Sequence, residues 1–240
     1  MRDDIDAFIH DTLYITDRAT LKRYFIQFMK QYGFDMISYH YVADNFRKIP
    51  IETAFPINTL PSSWNQTYIE SDYFEIDPVA EEARKNALPF YIAEISARSN
   101  LTPEQQSFLE DLDTAGIHNS IGVPVYARPG EIAHFCLGKK GAKEVKLSRA
   151  DLLELQAICQ HMHIRYNEIT EKKPAQKLSV REVQVLELIA RGKSNTAIST
   201  VLGVSPNTTD TIVRRCFEKL GVTSRVEAAL TGVGQGLILP

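Results

Sequence analysis

Three side chains in the first half of the chain have types and a spacing that suit a small neutral ligand. Trp64 and Tyr68 are four residues apart, so a helix would place both rings on one face, and Asp77 follows nine residues later. An indole donates one hydrogen bond, a phenol hydroxyl donates or accepts, and a carboxylate accepts from an amide. A ligand with two carbonyl groups and one N–H would satisfy all three. The residue types alone favour a structural role, with packed aromatic rings and Asp77 capping a helix that begins at Pro78.

A second candidate set lies on one helix near the C-terminus. Its predicted core face is apolar and consists of Ile212, Cys216, Phe217 and Leu220. The opposite face is polar and is predicted to contact DNA through Thr208, Thr209, Asp210, Arg214 and Arg215. Short polar side chains near a helix start can approach base edges, and arginine can bind phosphate or guanine. A solvated charged face on a structural helix would have the same composition. A DNA-binding role for these residues therefore depends on the sequence pattern around them.

The sequence contains no recognisable catalytic or metal-binding constellation. Cys159 and His163 are one helical turn apart, but two ligands do not make a metal site. Neither a glycine-rich phosphate loop nor a nucleophile-elbow motif is present. We therefore predict that the protein is not an enzyme and uses no metal and no cofactor.

Composition and charge point to a two-domain protein with a nucleic-acid partner at one end. The 240 residues are 44% hydrophobic, and the three cysteines favour a reducing cytoplasm over a disulfide framework. No apolar run reaches the ~18 residues of a membrane span, and no signal peptide is evident, so a cytoplasmic location without a membrane is expected. Residues 174–240 carry eight Lys/Arg and five Asp/Glu, whereas the remainder has a net charge of −6. A basic end on an acidic body is weak evidence for DNA contact.

The elements that must position the first set of residues alternate between helix and strand. Apolar periodicity and capping signals predict helices over 3–13, 19–32, 60–71 and 78–87, with further helices beginning after Thr102 and after Ser148. Strands are predicted over 35–43 and 51–56, and over 117–126 and 132–137 as a hairpin around Arg128-Pro129-Gly130. This order predicts an α+β chain whose N-terminal part is an α/β/α sandwich with a mostly antiparallel sheet.

The C-terminal part reads as helix throughout. We predict a domain over 1–170, a polar linker over 171–177 that contains Pro174, and an all-α bundle over 178–240. Ser179, Ser194, Ser205 and Ser224 each occupy a helix-capping position, and Gly192, Gly203 and Gly221 each follow a helix. The second and third of these helices, joined by Gly203-Val204-Ser205-Pro206, form a helix-turn-helix.

This C-terminal pattern resembles the LuxR-type helix-turn-helix across residues 177–235. The likeness is carried by Leu178-Ser179-Val180-Arg181-Glu182, by Ala190-Arg191-Gly192-Lys193-Ser194-Asn195, and by Lys219-Leu220-Gly221-Val222 with Arg225. Ile212 and Thr209 depart from the family, in which His and Val are common at these positions. The resemblance implies binding to double-stranded DNA at a palindromic operator, with the polar helix face towards the bases.

The N-terminal part resembles the autoinducer-binding domain of LuxR-family quorum-sensing receptors over residues 15–165. Trp64, Tyr68, Asp77 and Pro78 fall at the family's spacing. The resemblance implies an N-acyl homoserine lactone as the ligand. It also implies that Trp64 bonds the lactone carbonyl, Asp77 accepts from the amide N–H, and Tyr68 bonds the acyl carbonyl.

Three further pocket positions depart from the family and are candidate ligand-binding residues. Ile92 stands where Trp is usual against the lactone ring, Ser120 where Gly is usual, and Cys136 where Ser or Thr often bonds the acyl carbonyl. A thiol is a weaker hydrogen-bond partner than a hydroxyl. The polar residues Trp64, Tyr68 and Asp77 are retained, whereas the positions around them differ from the family. This combination favours a branched or aromatic acyl group.

Several alternatives stay open on the sequence alone. A regulator that senses a plant or host compound would also carry altered walls, and a lactone-opening hydrolase would need a base or metal near Asp77. A phosphorylated receiver domain is disfavoured because Asp3, Asp4 and Asp6 precede a helix and not a strand. The resemblance and the apolar stripe of Leu152, Leu155, Cys159 and Met162 predict a homodimer with the 148–167 helix at its edge.

Overall fold

The computed structural model describes residues 2–41, 55–98, 100–126, 132–141, 144–170 and 178–239. The described residues fall into two units, one drawn from residues 2–170 and the other from residues 178–239. The predicted linker, residues 171–177, lies outside the described residues, as does the predicted turn at Arg128-Pro129-Gly130.

Two helices open the N-terminal unit, α1 (Arg2–Leu13) and α2 (Arg18–Gln31), as the periodicity predicted. Asp17 caps α2 by accepting a hydrogen bond from the Thr20 amide at 2.8 Å. The buried face of α2 is the predicted one and consists of Leu21, Phe25, Phe28 and Met29. These side chains pack against the sheet and so fix the layer on one side of it.

Within the described residues, five antiparallel strands form one sheet in the order β2-β1-β5-β4-β3. The strands are β1 (Met36–Tyr41), β2 (Ile57–Asn58), β3 (Phe90–Tyr91), β4 (Ser120–Tyr126) and β5 (Ile132–Gly138). The predicted β4–β5 hairpin is confirmed by its pairing from Ser120–Gly138 to Tyr126–Ile132. Of the strand predicted over 51–56, residues 51–54 are not described and 55–56 are not strand; the short β2 follows them.

The two faces of the sheet belong to two different apolar clusters, because side chains alternate along each strand. Ile37, Tyr39, Val123, Phe135 and Leu137 lie on one face, against α1, α2 and α7 (Arg149–Thr170). The other face carries Met36 and Cys136 and is covered by four helices. These are α3 (Ser62–Glu70), α4 (Pro78–Lys85), α5 (Ile92–Ser96) and α6 (Pro103–Thr114). The predicted α/β/α sandwich is confirmed.

The C-terminal unit is all helical in its described residues, with every predicted cap in place. Its helices are α8 (Val180–Ala190), α9 (Asn195–Leu202), α10 (Pro206–Leu220) and α11 (Arg225–Gly234). Ser179 and Ser224 form capping boxes with Glu182 and Glu227. Gly203 ends α9 with φ of 65°, a left-handed conformation that favours glycine, and so sets the tight turn into α10.

Candidate functional site

A cavity of about 20 Å³ lies between the sheet and the helices α3 to α6. Five of the six predicted ligand-binding residues line it: Trp64, Tyr68, Asp77, Ile92 and Cys136. The structure therefore brings together residues from two helices, one strand and a helix cap that are far apart in sequence. The walls are otherwise mainly apolar and aromatic, with Phe55, Leu60, Phe108, Leu112 and Ile117 among them.

Helix α3 places Trp64 and Tyr68 on the same buried face, as their spacing predicted. Their ring centroids are 5.9 Å apart in an edge-to-face arrangement. Phe108 of α6 stands edge-on to the Trp64 ring at 5.5 Å. Edge-to-face pairs at such distances are favourable, so the indole and the phenol reach the cavity as part of one aromatic cluster.

Asp77 caps α4 and faces the cavity at the same time. One carboxylate oxygen accepts from the amides of Val79 at 2.8 Å and Ala80 at 3.1 Å. The other accepts from the Tyr68 hydroxyl at 2.9 Å. Burial raises the pKa of Asp77 to about 6, although these hydrogen bonds act in the opposite direction. One oxygen of Asp77 therefore fulfils the structural role considered from the sequence, and the other is paired with Tyr68.

The remaining predicted pocket residues divide into two that line the cavity and one that does not. Ile92 is fully buried at the start of α5, and Cys136 is buried on β5. Burial raises the pKa of the Cys136 thiol to about 12, so the group stays protonated.

Ser120 does not line this cavity, unlike the other five predicted residues, and its contact with a ligand stays a prediction. Its hydroxyl is a hydrogen-bond partner of the Cys136 thiol, and it borders a neighbouring cleft beside Asn119. Opposite it stands Gly138, where a Cβ atom would lie 2.3 Å from the Ser120 oxygen. Ser120 thus occupies space that a glycine on the partner strand leaves free, and its hydroxyl contacts the cavity residue Cys136.

Two histidines for which the sequence predicts no role also line the cavity. His40 on β1 and His134 on β5 are 6% and 1% exposed, and their ring centroids are 3.8 Å apart. The signal that identifies them is strand alternation, because His134 is two residues from Cys136 and so shares its face. Burial lowers the pKa of both rings, that of His134 to about 3.

The paired Cys159 and His163 take part in core packing. The His163 ring hydrogen-bonds the Tyr39 hydroxyl at 2.7 Å, on the sheet face opposite the cavity. Among the described residues, no group of three or more metal-ligating side chains is found. In the same part of the chain, no helix is long and apolar enough to cross a membrane.

The second candidate set forms the outer face of α10, with one exception. Thr208, Asp210, Arg214 and Arg215 are exposed, as predicted. Asp210 accepts a hydrogen bond from the Asn195 amide at 2.6 Å, and the Asn195 oxygen accepts from Arg225 at 2.6 Å. This chain of contacts joins α9, α10 and α11, so Asp210 and Arg225 hold the helix-turn-helix in position.

Thr209 is a correction, since it is fully buried and not on the outer face. The helix begins at Pro206, and the buried stripe runs through Thr209, Val213 and Cys216, while Ile212 is only partly buried. The Thr209 hydroxyl donates to the Ser205 carbonyl at 3.3 Å, so it makes its bond within the helix. This burial also agrees with the Val that is common at this position in the resembled family.

Comparison with known families matches both units. The family model described as "Autoinducer binding domain" matches residues 17–166. The one described as "Bacterial regulatory proteins, luxR family" matches residues 176–231. The first contains every cavity-lining residue named above, and the second contains all of α8 to α10.

Individual relatives share this organisation at low sequence identity. The chain is 24% identical to the transcriptional activator protein AhyR of Aeromonas hydrophila, over 100% of this chain and 94% of AhyR. It is 28% identical to the HTH-type transcriptional regulator y4qH of Sinorhizobium fredii, over 74% of this chain but only 55% of that protein. The crystal structure of Escherichia coli SdiA has a TM-score of 0.79 at 17% identity, over 99% of both chains, which shows a shared fold.

Proposed function

Because this chain belongs to the LuxR family of autoinducer-dependent transcriptional regulators, we propose that its ligand is an N-acyl homoserine lactone held by Trp64, Tyr68 and Asp77. We further propose that the ligand-bound protein binds a dyad-symmetric DNA site as a homodimer. The family consists of regulators and not enzymes, so the pocket serves recognition and not turnover.

The observation that carries this proposal is the buried hydrogen bond between Tyr68 and Asp77. The Tyr68 hydroxyl has one proton, and it now donates that proton to the carboxylate. An amide N–H from a ligand can take its place on Asp77, which frees the Tyr68 hydroxyl to donate to the adjacent acyl carbonyl. One protein–protein hydrogen bond is thereby exchanged for two protein–ligand bonds, and both Tyr68 and Asp77 stay paired. The third of these residues is Trp64, whose indole N–H can donate to the lactone carbonyl.

The size of the cavity implies that binding is coupled to a rearrangement of the walls. Ligand pockets generally measure about 300–1,000 Å³, far more than the space between the sheet and α3 to α6. We propose that the aromatic wall on α3 and α6 moves away from the sheet as the acyl chain enters. The apolar surface of the acyl chain then contacts these walls in place of their contacts with each other. The bound ligand thereby stabilises the N-terminal unit.

For DNA binding, we propose that α10 enters the major groove with Thr208, Arg214 and Arg215 towards the nucleic acid. All three are exposed on the outer face of the helix. Helix-turn-helix proteins read palindromes as dimers with half-sites about one helical turn apart, so a site of about 20 base pairs is expected.

The test is thermal unfolding of the full-length protein with straight, branched and aromatic N-acyl homoserine lactones. At least one lactone should raise the melting temperature of the wild type, and the rise should be lost in Asp77→Asn. Asp111→Asn is a matched control, because Tyr73 donates to Asp111 at 2.6 Å in a similar pair that does not line the cavity. This control should respond like the wild type.

Acylated glycerols are a second ligand class, which the same experiment includes. A solved structure of SdiA in complex with octanoyl-rac-glycerol resembles this chain with a TM-score of 0.78 at 16% identity. Stabilisation by 1-octanoyl-glycerol and by no lactone would replace the lactone proposal with a regulator of a non-lactone lipid.

A further inference from the structure

The sheet side of the ligand cavity carries a pair of buried histidines whose hydrogen-bonding capacity is largely unused. His40 and His134 are directly opposite each other in the β1–β5 ladder, and both line the cavity. The Nε2 atom of His40 and both ring nitrogens of His134 have no hydrogen-bond partner among the described residues. Buried polar groups without partners cost free energy, so three such atoms at one place indicate a missing polar partner.

The chemistry of the two rings restricts what that partner can be. Both rings are more than nine-tenths buried, and burial holds the pKa of each well below its usual range, so both are neutral. A neutral imidazole has one donor and one acceptor nitrogen. The unpaired nitrogens belong to two facing rings, and a hydroxyl group between them can accept a hydrogen bond from one ring and donate to the other.

The position of the pair relates it to one end of the ligand. Ser38 and Cys136 form the neighbouring row on the same sheet face, two residues away along each strand, which is roughly 7 Å. Phe55 packs against Tyr68 at 5.4 Å and against His40 at 4.7 Å between centroids, and so joins the two regions. A ligand whose head group contacts Trp64 and Asp77 would therefore direct its tail past Phe55 towards the histidines.

We propose that His40 and His134 form a polar subsite that hydrogen-bonds a neutral hydroxyl group on the distal part of the ligand's acyl tail. This inference rests on the proposed function and specifies the class of acyl group. An unsubstituted alkyl tail would leave the nitrogens unpaired. A carboxylate would call for a protonated imidazole in a site that disfavours the charge.

The experiment compares matched ligands on the full-length protein by isothermal titration calorimetry. The ligands are N-octanoyl and N-(8-hydroxyoctanoyl) homoserine lactone, with the six-carbon pair and an ω-carboxylated analogue. We expect the wild type to bind one of the hydroxylated lactones about threefold to tenfold more tightly than its alkyl counterpart, as one net hydrogen bond allows. His134→Leu should remove or reverse this preference. His134→Gln, which retains one donor and one acceptor group, should keep part of it.

The outcomes separate this inference from the proposed function. If no lactone of any kind binds, both the proposed function and the subsite proposal are overturned. If lactones bind but neither hydroxylated ligand is preferred, or the carboxylated ligand binds most tightly, the subsite proposal alone is overturned. Asp77→Asn should weaken both members of a pair equally and preserve their ratio. The matched ligands on the wild type decide the question by themselves if a histidine variant does not fold.

Discussion

At the scale of single residues, Asp77 combines two requirements that usually conflict. As a helix cap it must accept hydrogen bonds from Val79 and Ala80, and as a pocket residue it must offer an acceptor to the cavity. Its burial makes the charged form costly, which its raised pKa of about 6 records. A ligand N–H that donates to the oxygen now paired with Tyr68 would compensate part of that cost, so we expect ligand binding to favour the ionised form of Asp77.

Asparagine and alanine at position 77 should separate the two roles. Asparagine is a good helix cap and carries no charge, so Asp77→Asn should retain the stability of the ligand-free protein while lactone affinity falls about tenfold to a hundredfold. Asp77→Ala removes the cap as well and should also lower the free energy of unfolding by about 1 kcal/mol. Chemical denaturation and ligand titration of both variants provide the check. Equal loss of stability in both would show that asparagine does not preserve the cap.

The pH dependence of stability follows from the same group. The pKa of Asp77 is raised from 3.8 in the unfolded chain to about 6 in the fold, so its stabilising contribution is present below pH 3.8 and lost as the pH rises through about 6. Between pH 5 and pH 7.5 the ligand-free wild type should therefore lose about 1–2 kcal/mol relative to Asp77→Asn. Urea denaturation of the two proteins at both pH values measures this difference. A constant difference would mean that Asp77 is not buried as described.

Ligand affinity should have the opposite pH dependence, because the amide N–H is bound by the ionised carboxylate. Below pH 6 an increasing fraction of Asp77 is protonated, and the wild-type dissociation constant should rise by up to about tenfold per pH unit. In Asp77→Asn the weak residual affinity should not change over this range. Calorimetric titrations between pH 5 and pH 7.5 decide this. A wild-type affinity that is constant down to pH 5 would argue against a charged acceptor.

Local sequence predicts the pocket residues unevenly, for physical reasons. Trp64, Tyr68 and Asp77 carry a recognisable spacing because one helix and one cap place them. His40 and His134 become neighbours only through the pairing of β1 with β5, and that register is not visible in either strand alone. Ser120 lies beside the cavity and not in its wall, an arrangement that depends on Gly138, its partner across the sheet.

At the scale of elements, α10 has a buried stripe and an exposed face whose boundary falls at Thr209. The serine and glycine caps predict where each helix of this unit begins and ends. These caps do not predict, to within one residue, which side chains of a helix face the core. Of the five residues predicted to face outward, Thr208, Arg214 and Arg215 are exposed and carry no negative charge, and these are the three that we propose contact DNA.

Substitutions on the two faces of α10 should have different effects. Arg214→Ala and Arg215→Ala should each weaken DNA binding, by about 1–3 kcal/mol if the lost contact is to a base. Thr209→Val keeps the shape of a buried side chain and removes one hydroxyl bond, so DNA affinity should be unchanged at matched salt. Fluorescence anisotropy with a selected dyad site tests all three. If Thr209→Val reduces affinity as strongly as the arginine variants, the rotation of the helix is wrong.

The helix α7 shows how an apolar stripe can be used within one chain. Leu155, Cys159 and Met162 are buried against the sheet, so these residues of the predicted stripe are not available to a second subunit. Leu153 and Ile164 are 46% and 42% exposed on the same helix and are the better candidates for a contact at its edge.

A homodimer therefore stays a prediction, with the exposed face of α7 as its proposed edge. The ligand-bound wild type should sediment as a dimer at micromolar concentration. Leu153→Glu with Ile164→Glu should shift the equilibrium towards monomer, because charged side chains are disfavoured in the core of an interface. Sedimentation velocity gives the answer, with circular dichroism as the control for folding. A monomeric wild type with ligand bound would contradict the prediction.

At the scale of the whole molecule, the chain joins a ligand-binding unit and a helix-turn-helix unit, each with its own apolar clusters. The α+β class could be predicted from alternating patterns and caps, since these signals are local. The small volume of the cavity could not be predicted, because it depends on how four helices pack against one sheet face. In the proposed function, ligand binding in the first unit controls DNA binding by the second.

Ligand binding and dimerisation can be measured together by native mass spectrometry of the full-length protein, mixed with the lactone that most raises its melting temperature. It reports the number of chains and the number of bound ligands in one spectrum. We expect two chains with two lactones for the wild type and for Asp111→Asn, and a strongly reduced lactone adduct for Asp77→Asn. Absence of any lactone adduct on the wild type, or an equal adduct on Asp77→Asn, would contradict the proposed function.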